Sequence, residues 1–231
     1  TTLPMLPPEQ GEPFEQLLSD VEEKILPGIT HWQHPNFHAY FNANGSYASI
    51  LAELITAAIG AQCMIWETSP AAAELEERVM EWLINMSGLS QNWDGVIQDT
   101  ASTGTLVSIL TAREKITHFN INNRGFSNEK LRIYCSDQTH SSIDKSVKIA
   151  GIGLDNLVKI PVDDEMALLP YLLEEAIKTD LALGKIPCCI ITTLGTTGTT
   201  AMDPLEAIAD IAIKYSVWHH VDAAYAGAAF V

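Results

Sequence analysis

From Gly95 to Val221, short apolar runs alternate with segments of helical periodicity, and this alternation restricts the fold more than any other feature of the sequence. The runs are Gly95 to Gln98, Arg132 to Cys135, Leu157 to Ile160, Cys188 to Thr193 and Trp218 to Val221, and they read as strands. Helical patterns lie between them, near Thr103 to Lys115, Ser141 to Ala150, Met166 to Leu183 and Pro204 to Tyr215. Strand, helix, strand, helix at this spacing predicts an α/β fold with right-handed crossovers and a largely parallel sheet covered by helices on both faces. Ligands of such sheets gather at the carboxyl ends of strands, so the polar residues there are the first candidates for a site.

The region before this alternation reads differently. Pro4, Pro7, Pro8 and Pro13 disfavour a helix until Phe14, after which Phe14, Leu17, Leu18, Val21 and Ile25 recur at helical spacing, and Pro27 and Gly28 stop the run. A helix with one apolar stripe at the edge of a chain must cover something, either its own domain or a partner subunit. An aromatic cluster follows, Trp32, Phe37, Tyr40 and Phe41. Further helices are predicted from Ile50 to about Ile59 and from about Ala71 to Met86, the latter with Leu75, Val79, Trp82, Leu83 and Met86 on one face and Gly88 past its end. The expected division is a helical N-terminal extension over residues 1–46 and a large domain over 47–231.

A length of 231 residues with 47% hydrophobic content suffices for a real core. The net charge of −16, from 29 acidic and 13 basic residues, repels phosphate backbones and anionic lipid, so a nucleic-acid or membrane-surface partner is not expected. Cys63, Cys135, Cys188 and Cys189 form no CxxC pair, and most lie in apolar runs, which suits a reducing cytoplasm. No export signal or membrane span is expected. A metal site from His31, His34 and His38 is disfavoured by Pro35 and by the lack of nearby carboxylates or cysteines.

Four polar patches fall at predicted strand ends or turns. In residues 96–105, VIQDTASTGT, Thr100, Ala101 and Ser102 offer hydroxyls and approachable N–H groups where a helix opens, a setting that binds phosphate without a Walker lysine; alternatively Ser102 or Thr103 simply caps the helix. In residues 136–142, SDQTHSS, His140 could serve as acid or base, could lie on a flat cofactor, or could be a structural histidine. Residues 193–200, TLGTTGTT, form either a flexible connection or a wall of hydroxyl and amide donors. In residues 218–227, WHHVDAAYAG, a strand delivers Asp222 to the sheet edge, and Ala223 and Ala224 leave room for a ligand. A carboxylate there can pair with a protonated pyridine nitrogen and keep the ring an electron sink, or it can be an ordinary turn residue.

Taken in order, HPNFHAYF, TAS, DQTHSS, LGTTGT and HVDAAYAG resemble the pyridoxal-phosphate-dependent decarboxylases that act on aromatic amino acids, tyrosine, histidine and glutamate. The resemblance runs from about Ile29 to Val231. It implies a fold-type-I enzyme using pyridoxal 5'-phosphate, with phosphate contacts from Ala101 and Ser102 beside Thr100, ring stacking by His140, a hydrogen bond from Thr197, the pyridinium partner Asp222 and close packing from Ala224. His140 and Asp222 are the implied catalytic residues. It further implies a substrate pocket from Trp32, Tyr40 and Phe41, and a homodimer with shared active sites in which Met64 and Ile65 reach across the interface. Tyr225 and the TAS sequence lean toward the aromatic branch. Asn42, where that branch commonly has proline, leaves the amino-acid substrate open.

The resembled family also needs a lysine in a His-Lys pair to hold the cofactor. No lysine follows Asp222 and none is preceded by histidine, so the lysine is expected in a remaining C-terminal part. The implied reaction is decarboxylation of an L-amino acid to the amine and carbon dioxide. Its rivals are decarboxylation of an acidic or other amino acid, an aldehyde synthase or lyase of the same fold, and a non-catalytic relative. Retention of His140 favours decarboxylation.

Overall fold

A computed structural model describes residues 4–40 and 45–230 and divides the chain into two units, residues 1–57 and 58–231. In the first unit, helix α1 (Phe14–Asp20) starts after Pro13, whose carbonyl accepts the N–H groups of Gln16 and Leu17. The predicted helix to Ile25 continues, but as a π-turn over Val21–Ile25 in which the Leu26 N–H reaches the Val21 carbonyl. Pro27, with no amide hydrogen and a ring that crowds the carbonyl four residues back, ends the run. Trp32 stacks on Phe37 and on Tyr40, each at 5.2 Å between ring centroids. Helix α2 (Tyr47–Ile59) carries the boundary between the two units. Phe41 and Asn42 lie outside the described residues.

The second unit holds α3 (Pro70–Met86) and then the alternating elements. These are α4 (Ala101–Ile116), α5 (Asn120–Arg124), β1 (Leu131–Ser136), α6 (Ser142–Ile149), β2 (Leu157–Ile160), α7 (Pro170–Ala182), β3 (Ile186–Thr193), α8 (Leu205–Tyr215) and β4 (Trp218–Asp222). The strands form a sheet in the order β2-β1-β3-β4 with every pairing parallel. Strand periodicity sorts the core. Leu131, Ile133 and Cys135 of β1 and Cys189 and Ile191 of β3 face Ile109 and Ala112 of α4 and Ile143 and Val147 of α6. Tyr134 and Ile190, on the alternate positions, face Leu173 and Ile177 of α7 and Ile208 and Ala212 of α8. Both faces are covered, as parallel sheets require.

Two expectations are corrected, and one element is new. Gly95 to Gln98 forms no strand: Val96 and Ile97 are exposed, and the Ile97 N–H goes to the Glu76 carboxylate at 2.9 Å instead of to a ladder. An apolar run becomes a strand only beside a partner, and no strand of this sheet reaches it. The helix expected from Met166 starts at Pro170, because the Asp163 carboxylate accepts the N–H groups of Glu165 and Ala167 in a tight turn that puts Met166 at φ +63°. The short helix α5 was not anticipated; it follows His118 and Phe119, both in the left-handed region. Among the described residues no helix is long and apolar enough to cross a membrane.

Candidate functional site

The carboxyl ends of β1, β3 and β4 and the amino end of α4 enclose a cavity of about 290 Å³. Its lining brings together Thr100, Ala101, Ser102, His140, Thr197, Asp222 and Ala224, residues spread over more than a hundred positions of sequence. Parallel strands all present their carboxyl ends to one edge, and each following loop or helix start therefore contributes there.

Helix α4 is capped by Thr100, whose Oγ1 accepts the Thr103 N–H at 3.2 Å. Neither Ser102 nor Thr103 is the cap, so the Ser102 hydroxyl is left for the cavity. The first-turn N–H groups of an α-helix have no partner within the helix, and those of Ala101 and Ser102 open here at the positive end of the helix dipole. Among the described residues no lysine or arginine lines the cavity. The groups the cavity offers an anion are amides and hydroxyls.

The helix is tied to the strand that carries Asp222. Trp218, His220 and Asp222 alternate along β4. The Trp218 Nε1–H donates to Ser108 Oγ at 2.9 Å, and His220 Nε2 lies 3.3 Å from Thr105 Oγ1. One turn of α4 thus engages alternate residues of β4, and this fixes the helix start against the strand tip. Burial pulls the His220 pKa down, opposed by the charge of Asp222, so the ring is neutral near pH 7. At the tip, Asp222 Oδ1 accepts the Ala224 N–H at 3.1 Å, and the Asp222 carbonyl accepts the Leu194 N–H at 2.9 Å.

His140 follows β1. Its Nδ1 accepts the Ser142 backbone N–H at 3.2 Å and lies 2.9 Å from Ser142 Oγ. A nitrogen that accepts an amide proton carries none, which places the proton of the neutral ring on Nε2. The third wall is the Gly195–Ala201 loop. The Ala201 carbonyl accepts the N–H groups of Gly195 and Thr196, and the buried Thr196 Oγ1 accepts the Ala201 N–H at 3.1 Å and sits 2.7 Å from Thr199 Oγ1. The loop is closed on itself, and Thr197 is held at its rim. Gly195 is at φ +83°, and a Cβ there would stand 2.5 Å from Tyr225 Cδ1.

Gly195 of the donor-rich loop and Tyr225 of the Asp222 motif also line the cavity, as do Ser142 and Thr193, which sequence reasoning did not single out. It also missed Asp203. This carboxylate, 3% exposed, accepts the Thr193 N–H at 2.8 Å and the Leu168 N–H at 2.9 Å, and its own N–H returns to the Thr193 carbonyl. Burial pushes its pKa up, against the pull of those two amides. Met64 and Ile65 are exposed and do not line this cavity. Trp32 and Tyr40 belong to the first unit, stacked on each other. A larger, mainly apolar groove of about 530 Å³ lies at the opposite end of β3 and β4; it has no convergent set of polar groups, and its Lys115 ammonium lies over the Trp218 ring.

Residues 1–231 match the family described as the pyridoxal-dependent decarboxylase conserved domain. Phenylacetaldehyde synthase of Arabidopsis thaliana is 43% identical over 99% of the chain and 48% of its own length. Tyrosine decarboxylase 4 of Petroselinum crispum is 42% identical over 99% of the chain and 46% of its own length. The crystal structure of Catharanthus roseus tryptophan decarboxylase in complex with L-tryptophan superposes with a TM-score of 0.93 at 38% identity, covering 99% of this chain and 50% of that one. The chain therefore spans about half the length of these relatives. A parallel α/β sheet, a cavity at its carboxyl edge built from the expected motifs, and a match along the whole sequence lead to one conclusion: the chain belongs to the pyridoxal-dependent decarboxylase family, with the fold-type-I architecture of its structural neighbours.

Proposed function

We propose that this chain carries the coenzyme-binding face of a pyridoxal-phosphate-dependent decarboxylase that converts an aromatic L-amino acid to the amine and carbon dioxide. The observation that carries the reading is the convergence of Thr100–Ser102, His140, Thr197, Asp222 and Ala224 on one cavity. The donor set suits the group. Unpaired helix amides and the Ser102 hydroxyl suit a phosphate, a strand-tip carboxylate suits a pyridinium, and the buried Thr193 hydroxyl on the cavity wall has no partner of its own. The tyrosine and tryptophan decarboxylases among the relatives support the aromatic substrate.

When bound, pyridoxal phosphate supplies a cationic ring that accepts the electron pair left behind as carbon dioxide departs. Asp222 would hold the proton on the ring nitrogen, its geometry fixed by the Ala224 N–H. Ala101 and Ser102 would hold the phosphate, and the tie between His220 and Thr105 sets their distance from Asp222. His140, oriented by Ser142, presents a protonated Nε2, suited to lying over the ring or to handling a proton.

Two assembly features belong to the same proposal. A homodimer with shared active sites is supported by α2, whose Ile50, Leu51, Leu54 and Ile55 are each more than half exposed. A contiguous apolar face of that kind marks an interaction surface. A cytoplasmic location suits four cysteines without a disulfide.

A second reading is an aldehyde synthase, favoured by a phenylacetaldehyde synthase as similar as the decarboxylases. The deciding experiment loads the full-length protein with pyridoxal phosphate, records its visible absorbance, and assays tyrosine, tryptophan and phenylalanine for amine against aldehyde plus hydrogen peroxide. Amine with carbon dioxide supports the proposal. Aldehyde with peroxide selects the second reading, and absence of any cofactor absorbance rejects both.

A further inference from the structure

Thr193 ends β3 and pairs in register with Asp222 of β4, so in this parallel ladder the two side chains leave the sheet on the same side. Thr193 lines the same cavity as Asp222 and is only 4% exposed. Its backbone is fully engaged: the N–H donates to Asp203 Oδ2, and the carbonyl accepts the Asp203 N–H. Its Oγ1 has no hydrogen-bond partner, and it is the one buried side-chain polar atom in that condition among the described residues. Thr192, one residue earlier, shows the contrast; its hydroxyl, on the other face of the strand, is satisfied by His219 Nε2 at 2.6 Å.

Buried hydroxyls are almost always bonded, so one left unbonded on a cavity-lining residue calls for a partner that the chain itself does not supply. Asp203 holds the Thr193 backbone through both its N–H and its carbonyl, so the side chain leaves the strand at a fixed place beside Asp222. We infer that Thr193 is a further binding residue of this site, its hydroxyl making a direct hydrogen bond to the occupant of the cavity on the Asp222 side. The inference rests on the proposed reading that the occupant is pyridoxal phosphate. Thr193 would then serve the part of the coenzyme that meets Asp222, as Ala101 and Ser102 would serve its phosphate.

The test compares full-length wild-type protein with Thr193→Val and Thr193→Ser, each stripped of coenzyme and titrated with pyridoxal 5'-phosphate by absorbance, alongside thermal melts with and without it. Valine keeps the branched shape and strand preference and removes only the hydroxyl. Loss of one ligand hydrogen bond weakens coenzyme affinity roughly tenfold in Thr193→Val. The stripped Thr193→Val protein melts at or above the wild-type temperature, because an unsatisfied buried group has been removed. Thr193→Ser stays within about twofold of wild-type affinity, as it retains the hydrogen bond.

A residue that merely supports the strand would lower both melts together and leave affinity alone, and that result overturns the assignment. So does a valine protein that fails to fold, or a serine variant as weak as valine. If wild-type protein binds pyridoxal phosphate and valine binds it equally well, the assignment of Thr193 falls while the cofactor reading stands. If wild-type protein binds none, both fall.

Discussion

Asp203 offers the sharpest test of how the site edge is held. Its carboxylate satisfies two buried amides, one from Thr193 at the end of β3 and one from Leu168 ahead of α7. Replacing it by alanine strands both donors. At about 1–3 kcal/mol for each unsatisfied buried group, Asp203→Ala loses about 2–6 kcal/mol, with the lower half expected where water enters the vacated space. Asp203→Asn keeps one acceptor oxygen but sets an NH2 against the other amide, so it loses about 1–3 kcal/mol, partly offset because no charge is buried. The pH dependence carries a sign. The Asp203 pKa is raised in the folded protein, so between the unfolded value of 3.8 and the folded value the native state binds more protons. Its contribution therefore grows on acidification through that window and is lost as pH rises through the folded pKa. Urea denaturation of wild type and both variants, at neutral pH and again near pH 4, measures all of this. The wild-type advantage over Asp203→Asn should be larger at the acidic end. An unchanged midpoint in Asp203→Ala, or an asparagine variant as damaged as alanine, would refute the clamp.

Other outcomes follow from the same geometry. Asp222→Asn should keep its coenzyme by absorbance yet lose roughly 100-fold or more in turnover, the size of one preorganised electrostatic contact; near-normal rates would remove Asp222 from its role. Gly195→Ala places a methyl 2.5 Å from Tyr225 Cδ1 at φ +83°, so it should destabilise by about 1–3 kcal/mol and weaken coenzyme binding, both readable by melting with and without pyridoxal phosphate. Asp180→Asn breaks a buried cluster in which Arg132 Nε, Lys185 Nζ and Tyr134 OH all reach one carboxylate, at a cost of about 3 kcal/mol at neutral pH. Although burial opposes it, those three donors hold the Asp180 pKa below 3.8, so this stability is present above that pH and fades as pH falls through the folded value. The variant's deficit, measured by denaturant midpoint, should shrink below pH 3.8.

Local pattern carried most of this fold because the alternating elements are locally consistent. The run Leu157–Ile160 and the tip of β4 are legible as strands from apolar content alone, and the rule about carboxyl ends then leads to Thr100, His140, Thr197 and Asp222. What was hidden depends on partners distant in sequence. Gly95–Gln98 has a strand's composition and no neighbour to pair with. Thr193 reads as the polar end of an apolar run, and only its register against Asp222, 29 residues later, puts its side chain on the face that bears the cavity. Asp203 reads as an acid in a turn before Pro204; nothing in its neighbours announces that two buried amides end on it. Ser142 could have been suspected from its place two residues after His140, a spacing that lets a backbone N–H orient an imidazole.

These hidden residues share one property that bears on function. Each wall of the cavity is anchored to the sheet or to its own loop by bonds that need no ligand: α4 through His220 and Trp218, the Gly195 loop through Thr196 and Ala201, the end of β3 through Asp203, and the turn after β4 through the Ala226 N–H on the Leu194 carbonyl. A site built this way is formed before its occupant arrives, so ordering costs are met by folding and binding energy is left for the ligand. It follows that substitutions in the anchors should damage stability and affinity together, whereas substitutions in Ser102 or Thr193, whose hydroxyls are not part of the scaffold's own hydrogen bonding, should lower affinity without lowering stability. That difference, measured residue by residue, distinguishes the frame of the site from its working surface.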